Sequence, residues 1–362
     1  MTSLMLIAGL LLLVAGGEAL VRGASRLAVS TGISPLVVGL TVVAYGTSSP
    51  EMAVSLSAVV SGQVDIALGN VVGSNIFNVL FILGIAALIV PLVVDGQIVC
   101  QEVPIMIGAS ALLLLLALDG GIGRLDGALL FALLICYTVF VVVQSRRATA
   151  ALSTEFAGEA HIAAQSGWDA KLPAQIALIV VGLVLLVFGS QLLVTAAVSI
   201  AKAFGVSELV IGLTIVAAGT SLPEVSASIT AAVRGQREIA VGNVVGSNIF
   251  NILGVLGLSA LSSPVPLAVP GSLLAFDMVV MLFVAVACLP IFFSGHTIAR
   301  WEGVVFLGYY VAYTAWLVLQ SQQHDALDDY SLVMRTVVLP LTAITLCVVG
   351  TRAWRTRDSR GQ

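Results

Sequence analysis

Two glutamates stand in polar stretches that interrupt apolar parts of the chain. Glu51 lies in AYGTSSPEMAVSLSA, residues 44–58, and Glu224 lies in the similar AAGTSLPEVSASITA, residues 217–231. In both stretches hydroxyl side chains and a proline precede the glutamate, so carboxylate and hydroxyl oxygens come together twice. Hard cations such as Ca²⁺ prefer ligand sets made only of oxygen, whereas soft metals prefer Cys or His. The residue types therefore predict a cation site.

Helical spacing places these oxygens on one face of each stretch. The side chains recur at intervals of three and four residues, which is the repeat of a helix face. Pro50 has no N–H group, so the carbonyl oxygen of Gly46 loses its helical partner and becomes available. The aligned residues are Ala44, Thr47, Ser48 and Glu51 in the first stretch and Ala217, Thr220, Ser221 and Glu224 in the second.

A second repeated block adds amide and hydroxyl oxygens. The string GNVVGSNIFN occurs at residues 69–78 and again at 242–251. Two glutamates balance the charge of one Ca²⁺, and a bound cation removes the cost of an isolated carboxylate inside the bilayer. We therefore expect one oxygen cage near the middle of the membrane. The helical face of the block carries Asn70, Ser74 and Asn78 in the first copy and Asn243, Ser247 and Asn251 in the second.

Membrane-spanning helices must hold these residues. Of the 362 residues, 59% are hydrophobic and only 9% are charged, against about 25% charged residues in soluble domains. Apolar runs of about 20 residues recur along the chain, and each is long enough to cross a bilayer as a helix. The sequence predicts an all-α polytopic membrane protein with eleven spans, near 3–22, 34–60, 65–90, 103–119, 125–144, 174–199, 207–233, 238–262, 272–294, 300–320 and 331–350.

The chain contains an internal duplication. Residues 39–88 align with 212–261 without a gap, and 32 of the 50 positions are identical. The repeated unit holds five spans, and an odd number of spans turns the second copy upside down in the membrane. Such inverted repeats are typical of secondary transporters, whose sites lie where the halves meet. The predicted parts are a first repeat over 1–144, a linker over 145–173, a second repeat over 174–320, and an extra span with a basic tail over 321–362.

The placement of positive charge predicts the orientation. With the N-terminus outside, twelve of the fifteen Lys and Arg residues fall in inside loops or in the C-terminal tail. Cytoplasmic loops carry an excess of positive charge, so we expect the linker and the C-terminus in the cytoplasm. The expected location is the cell inner (plasma) membrane, with lipid and transported cations as partners. No basic cluster suited to nucleic acid precedes the tail, and no cofactor or obligate protein partner is expected.

These signatures resemble the sodium/calcium exchanger family of the cation/calcium antiporter superfamily, in its prokaryotic type. The matching strings are GTSSPE, GTSLPE and the two copies of GNVVGSNIFN. The resemblance implies ten helices in two inverted halves, with four central helices around the ion. It implies backbone ligands at Ala44 and Ala217 and side-chain ligands at Thr47, Ser48, Glu51, Ser74, Asn78, Thr220, Ser221, Glu224, Ser247 and Asn251.

Three features depart from the family pattern. Asn251 stands where many relatives carry Asp, which lowers the charge of the site and makes coupling to K⁺ unexpected. Ser49 stands where Leu is usual, although the second copy keeps Leu222. The eleventh span lies outside the ten-helix plan that the resemblance implies.

The predicted function is antiport of Ca²⁺ against Na⁺ by alternating access, as family members typically perform. One alternative is Ca²⁺/H⁺ exchange, in which Glu51 and Glu224 take up protons in place of Na⁺. A second alternative is a cation channel, which would conduct without a counter-ion. An intramembrane enzyme is not expected, because the spans carry no His or paired Asp near their middle.

Overall fold

Helices make up nearly all of the structure, a computed structural model that describes residues 2–155, 169, 171–204, 217–324, 326–334 and 336. The predicted all-α fold is confirmed. In chain order the helices are α1 Thr2–Thr31, α2 Pro35–Thr47, α3 Ser49–Val60, α4 Val64–Ile89, α5 Ile98–Asp119, α6 Arg124–Glu155, α7 Leu172–Ala203, α8 Leu222–Val233, α9 Arg237–Ser262, α10 Leu273–Phe293, α11 Arg300–Ser321 and α12 Ala326–Val333.

Eight helices in the described ranges are long and apolar enough to cross a membrane. The second predicted span is the pair α2 and α3, which are separated only by Ser48. The seventh predicted span is α8 together with the preceding helical turn Ala217–Gly219, and its beginning lies outside the described residues. The structure thus contains the helices of spans one to ten, whereas most of the predicted eleventh span, 331–350, falls outside the described residues.

Several helices are longer than the sequence predicts. The first helix continues to Thr31, and α6 continues to Glu155, so it takes up the first part of the predicted linker. The sequence-based limits stop where polar residues begin, but a helix can continue into the aqueous boundary because its backbone hydrogen bonds do not depend on lipid. The linker's remaining residues, apart from Asp169 and residues 171–173, lie outside the described part.

The centre of the bundle is formed by α4 and α9, which carry the two copies of GNVVGSNIFN. Within an 18-residue apolar stretch of each helix, 72% of the residues of α4 and 83% of those of α9 are buried. The corresponding share is 17–44% in the other six long helices. The outer helices expose large apolar side chains, which suits contact with lipid. The polar repeats therefore occupy the best-protected position in the described structure.

Two glycine-bearing helices pack tightly along one side of the bundle. Gly9 and Gly16 of α1 face Gly189 and Gly182 of α7. A Cβ at Gly16 would lie 2.8 Å from the carbonyl oxygen of Gly182, and a Cβ at Gly182 would lie 2.9 Å from that of Gly16. Small residues at such facing positions let helix backbones approach closely inside a membrane.

Two short antiparallel ribbons join the halves of the molecule. Strand β1, Leu92–Val93, pairs with β4, Thr297–Ile298, and β2, Gly121–Ile122, pairs with β3, Leu267–Ala268. Because α5 runs from β1 to β2, the two ribbons lie at opposite ends of the bundle. Each ribbon links a loop of the first half to a loop of the second, as expected for two intertwined inverted repeats.

Candidate cation site

The breaks in the second and seventh spans have the same geometry. Ser48 (φ −82°, ψ 9°) separates α2 from α3, and Ser221 (φ −89°, ψ 7°) precedes α8 in the same way. A proline lies in the first turn after each break, where its missing N–H group is tolerated. Glu51 and Glu224 lie in the same first turn, so each carboxylate is close to the positive end of a helix dipole.

Each carboxylate is bonded by a hydroxyl from the opposite half of the chain. Ser48 Oγ donates to Glu224 Oε1 at 2.7 Å, and Ser221 Oγ donates to Glu51 Oε1 at 2.8 Å. Glu51 is 0% exposed and Glu224 is 1% exposed. These reciprocal bonds bring the two glutamates, which are far apart in sequence, to facing sides of one buried site.

Four buried oxygens at this site have no hydrogen-bond donor. They are Glu51 Oε2, Glu224 Oε2, Asn78 Oδ1 and Asn251 Oδ1. A buried acceptor without a partner costs free energy, and a carboxylate costs more than an amide. A cation bound by these oxygens would remove this cost, and a set of two carboxylate and two amide oxygens suits a hard cation.

Several of the other predicted ligands contact one another. Thr47 Oγ1 lies 3.3 Å from the carbonyl oxygen of Ala44, and Ser247 Oγ lies 3.4 Å from the same oxygen. Ser221 Oγ lies 3.3 Å from Ser74 Oγ. Thr220 is partly buried, and Ala217 belongs to the helical turn before α8, although its side chain is not described.

The structure assigns contacts to two asparagines that the sequence only placed on the polar face. Asn243 accepts from Thr47 Oγ1 at 3.1 Å and donates to the backbone carbonyl of Glu224 at 3.4 Å. Asn70 makes the mirror-related contacts in the other half, at 3.5 Å from Thr220 Oγ1 and 3.2 Å from the carbonyl of Glu51. Both asparagines therefore fasten the helix breaks to the central helices.

Sequence reasoning missed Ser190 and the pair Asn75 and Asn248. Pro223 deprives the carbonyl of Gly219 of its helical partner, and Ser190 Oγ of α7 donates to that carbonyl at 2.5 Å. Nothing in the sequence links Ser190 to Gly219. Asn75 and Asn248 stood inside the duplicated block, and their repetition was the signal that could have identified them.

A second pair of mirror-related acidic residues lies outside the cage. Glu102 accepts from Tyr137 Oη at 2.8 Å, and Asp277 accepts from Tyr313 Oη at 2.7 Å. Glu102 also accepts from the side-chain amides of Gln97 and Gln101. These bonds give both carboxylates a structural role. The recurrence of Tyr-Thr at 137–138 and 313–314 was an available signal.

One ionic cluster joins helices at the end of the bundle. Arg22 Nε of α1 lies 2.8 Å from Asp169 Oδ2, and Arg26 Nε lies 3.3 Å from the same oxygen. The hydrogen bond from Arg22 lowers the pKa of Asp169 below its ordinary value of 3.8. Glu18 of α1 pairs with Arg234, which follows α8. The charged residues of the first helix thus bind other segments of the fold.

Two inverted halves around a buried oxygen site between broken helices define a secondary cation transporter. Comparison with known proteins supports the same class. The family model described as "Sodium/calcium exchanger protein" matches residues 1–143 and 174–319. The chain therefore belongs to the sodium/calcium exchanger family, as its sequence signatures indicated.

Relatives are similar over most of their length. The chain is 34% identical to sodium/calcium exchanger MaX1 of Methanosarcina acetivorans over 342 residues, covering 86% of this chain and 96% of the relative. It is 38% identical to inner membrane protein YrbG of Escherichia coli, covering 72% of this chain and 79% of the relative. The solved structure of the sodium-calcium exchanger NCX_Mj without Na⁺ and Ca²⁺ matches with a TM-score of 0.74 at 30% identity, covering 87% of this chain and 98% of that one.

Proposed function

We propose that this antiporter exchanges Ca²⁺ for Na⁺ across the membrane. The observation that carries the proposal is the set of four buried oxygens without a donor, two of them on carboxylates. Two carboxylates neutralise one Ca²⁺, and the surrounding hydroxyl and carbonyl oxygens supply further ligands of the type that Ca²⁺ and Na⁺ prefer. The proposed ligands are Ala44, Thr47, Ser48, Glu51, Ser74, Asn78, Ala217, Thr220, Ser221, Glu224, Ser247 and Asn251.

The electrostatics of the site suggest why transport is coupled. Without a cation, Glu51 and Glu224 repel each other in a region of low dielectric constant, which opposes closure of the halves around an empty site. A bound Ca²⁺, or Na⁺ in its place, offsets this repulsion and allows the halves to rearrange. Exchange is then favoured over leak, because only the occupied protein changes between the two access states.

Ca²⁺/H⁺ exchange is the second candidate. It is favoured by the single unpaired oxygen on each buried glutamate, since that oxygen can hold a proton as well as contact a cation. Protonation would remove the same negative charge that Na⁺ offsets. The two candidates therefore use one site and differ only in the driving ion.

Flux measurements in proteoliposomes separate these candidates. Proteoliposomes that contain the purified protein are loaded with Ca²⁺-free buffer. Uptake of Ca²⁺ is then followed with Na⁺, H⁺ or K⁺ gradients imposed one at a time. We expect uptake with an outward Na⁺ gradient only. Uptake driven by a pH gradient in the absence of Na⁺ would instead establish the second candidate, and conductance without any counter-ion would indicate a channel.

We also propose that the N-terminus lies outside the cell and the C-terminal tail in the cytoplasm. The proposal rests on the excess of Lys and Arg that this orientation places inside. Single cysteines introduced at Gln63, in the loop after α3, and at Gln236, in the loop after α8, of a variant whose native cysteines are replaced by Ser provide the test. We expect an impermeant thiol reagent to label the first position in intact cells and the second only in inverted vesicles.

A further inference from the structure

Two asparagines that face each other across the two halves are anchored by backbone carbonyls. Asn75 Nδ2 donates to the carbonyl of Asn248 at 3.2 Å, and Asn248 Nδ2 donates to the carbonyl of Asn75 at 3.3 Å. Each residue is 2% exposed. A carbonyl oxygen can only accept, so a reversed amide would set two oxygens against each other. The orientation of both amides is therefore determined by the backbone.

The two anchored amides in turn hold two of the proposed ligands by hydrogen bonds. Asn75 Oδ1 accepts from Asn251 Nδ2 at 3.1 Å, and Asn248 Oδ1 accepts from Asn78 Nδ2 at 3.0 Å. Since the nitrogen of each ligand amide is used in this way, its oxygen is the atom left without a donor. The direction of each ligand oxygen thus follows from a backbone carbonyl through two successive hydrogen bonds.

Thioether contacts add to the fit of both anchoring amides. Asn75 Nδ2 lies 3.6 Å from Met281 Sδ, and Asn248 Nδ2 lies 3.5 Å from Met106 Sδ. Sulfur is a weak acceptor, so it favours the nitrogen over the oxygen of the amide at this position. The two sets of contacts are related by the internal repeat, so the same arrangement occurs in both halves.

We propose that Asn75 and Asn248 are positioning residues for cation binding, each acting on the ligand of the opposite copy of the repeat. Asn75 orients Asn251, although Asn78 is its neighbour one helical turn away. Asn248 likewise orients Asn78. This inference rests on the proposed function, since it assigns a role to residues behind the proposed ligands. Partners behind a metal ligand commonly change affinity by about 10- to 100-fold when they are removed.

A double-mutant cycle tests which ligand each residue controls. The half-saturating Ca²⁺ concentration is measured by thermal stabilisation of the purified protein and by uptake into proteoliposomes. Asn75→Ala should raise it by about tenfold. In the Asn251→Ala background the same change should have almost no further effect, because the oriented ligand is already gone. In the Asn78→Ala background Asn75→Ala should keep its full effect, because it does not act through Asn78. The backbone carbonyl of residue 75 is still present in the variant, so Asn248, which orients Asn78, stays anchored.

The mirror-related cycle keeps the proposal testable if one set of variants fails to fold. There, Asn248→Ala should be coupled to Asn78→Ala and independent of Asn251→Ala. Independent effects in every background, or coupling within one copy of the repeat, would overturn the proposal. A merely structural role would lower thermal stability without this pattern of coupling in the half-saturating concentration.

The cation used as probe separates this proposal from the proposed function. Both cycles are repeated with Na⁺ as the only stabilising cation. A wild-type protein that responds to Na⁺ but not to Ca²⁺ would count against Ca²⁺ exchange, while the coupling pattern in Na⁺ would still decide the role of Asn75 and Asn248.

Discussion

Replacement of Glu51 by Gln tests the charge of the proposed cage while preserving its shape. Ser221 Oγ, which lies 2.8 Å from Glu51 Oε1, can donate equally well to the carbonyl oxygen of glutamine. The amide nitrogen then takes the position of Oε2, the oxygen that has no donor in the wild-type protein. The variant therefore keeps the hydrogen bond between the halves but loses one negative charge and one ligand.

The expected loss of affinity follows from Coulomb's law. At an effective dielectric constant of about 20, unit charges about 4 Å apart attract each other by about 4 kcal/mol. A divalent ion in direct contact with the carboxylate is attracted more strongly, and the desolvation of the ion offsets part of the gain. A net loss of about 4 kcal/mol corresponds to roughly a thousandfold weaker binding of Ca²⁺.

Calcium-dependent thermal stabilisation and radiolabelled Ca²⁺ uptake measure this loss directly. We expect Glu51→Gln to remain monodisperse in detergent and to lose Ca²⁺ uptake at concentrations that saturate the wild type. Glu224→Gln should show a loss of similar size, because Ser48 bonds Glu224 as Ser221 bonds Glu51. A wild-type half-saturating concentration in either variant would refute the assignment of that carboxylate.

Three further predictions concern packing and charged groups outside the cage. Gly246→Ala would place a Cβ 2.7 Å from a backbone Cα of α2, so we expect a loss of about 1–3 kcal/mol in stability, seen as a lower Tm. The control Gly108→Ala, at an exposed glycine with open space beside it, should not lower Tm. Glu102→Gln leaves at least one of three donors without an acceptor and should cost about 1–3 kcal/mol, with Ca²⁺ affinity retained in a calorimetric titration. Asp169→Asn should lower Tm at neutral pH, and the difference from wild type should shrink as pH falls below 3.8, because a carboxylate with a lowered pKa stabilises the fold only while it is ionised.

Each of these predictions has an opposite result that would contradict it. Equal Tm values for the two glycine variants would show that α2 can move away from α9 at little cost. A large drop in Ca²⁺ affinity for Glu102→Gln would place Glu102 in the transport site rather than in the scaffold. A constant difference between Asp169→Asn and wild type down to low pH would show that the ionic bond to Arg22 does not stabilise the protein.

The sequence was sufficient to predict the helices of spans one to ten and the internal repeat, and it singled out the two buried glutamates that share a site in the structure. Hydrophobic length predicts membrane helices because backbone groups in lipid must bond within one segment. The repeated Thr-Ser and Glu at helical spacing predicted one polar face in each half, and the structure buries both faces together. Helix ends were less predictable, as the extensions of α1 and α6 show, because polar sequence does not by itself end a helix.

By itself the sequence determined which residues carry oxygen, which helices they lie on, and that the two halves are inverted copies. Only the tertiary structure decided how the copies are connected. Ser48 bonds Glu224 although Glu51 is three residues away, and Asn75 bonds Asn251 rather than its neighbour Asn78. The physical reason is that these bonds depend on how α4 and α9 cross and on where the helix breaks meet. The residue pattern of one helix does not show which other helix packs against it.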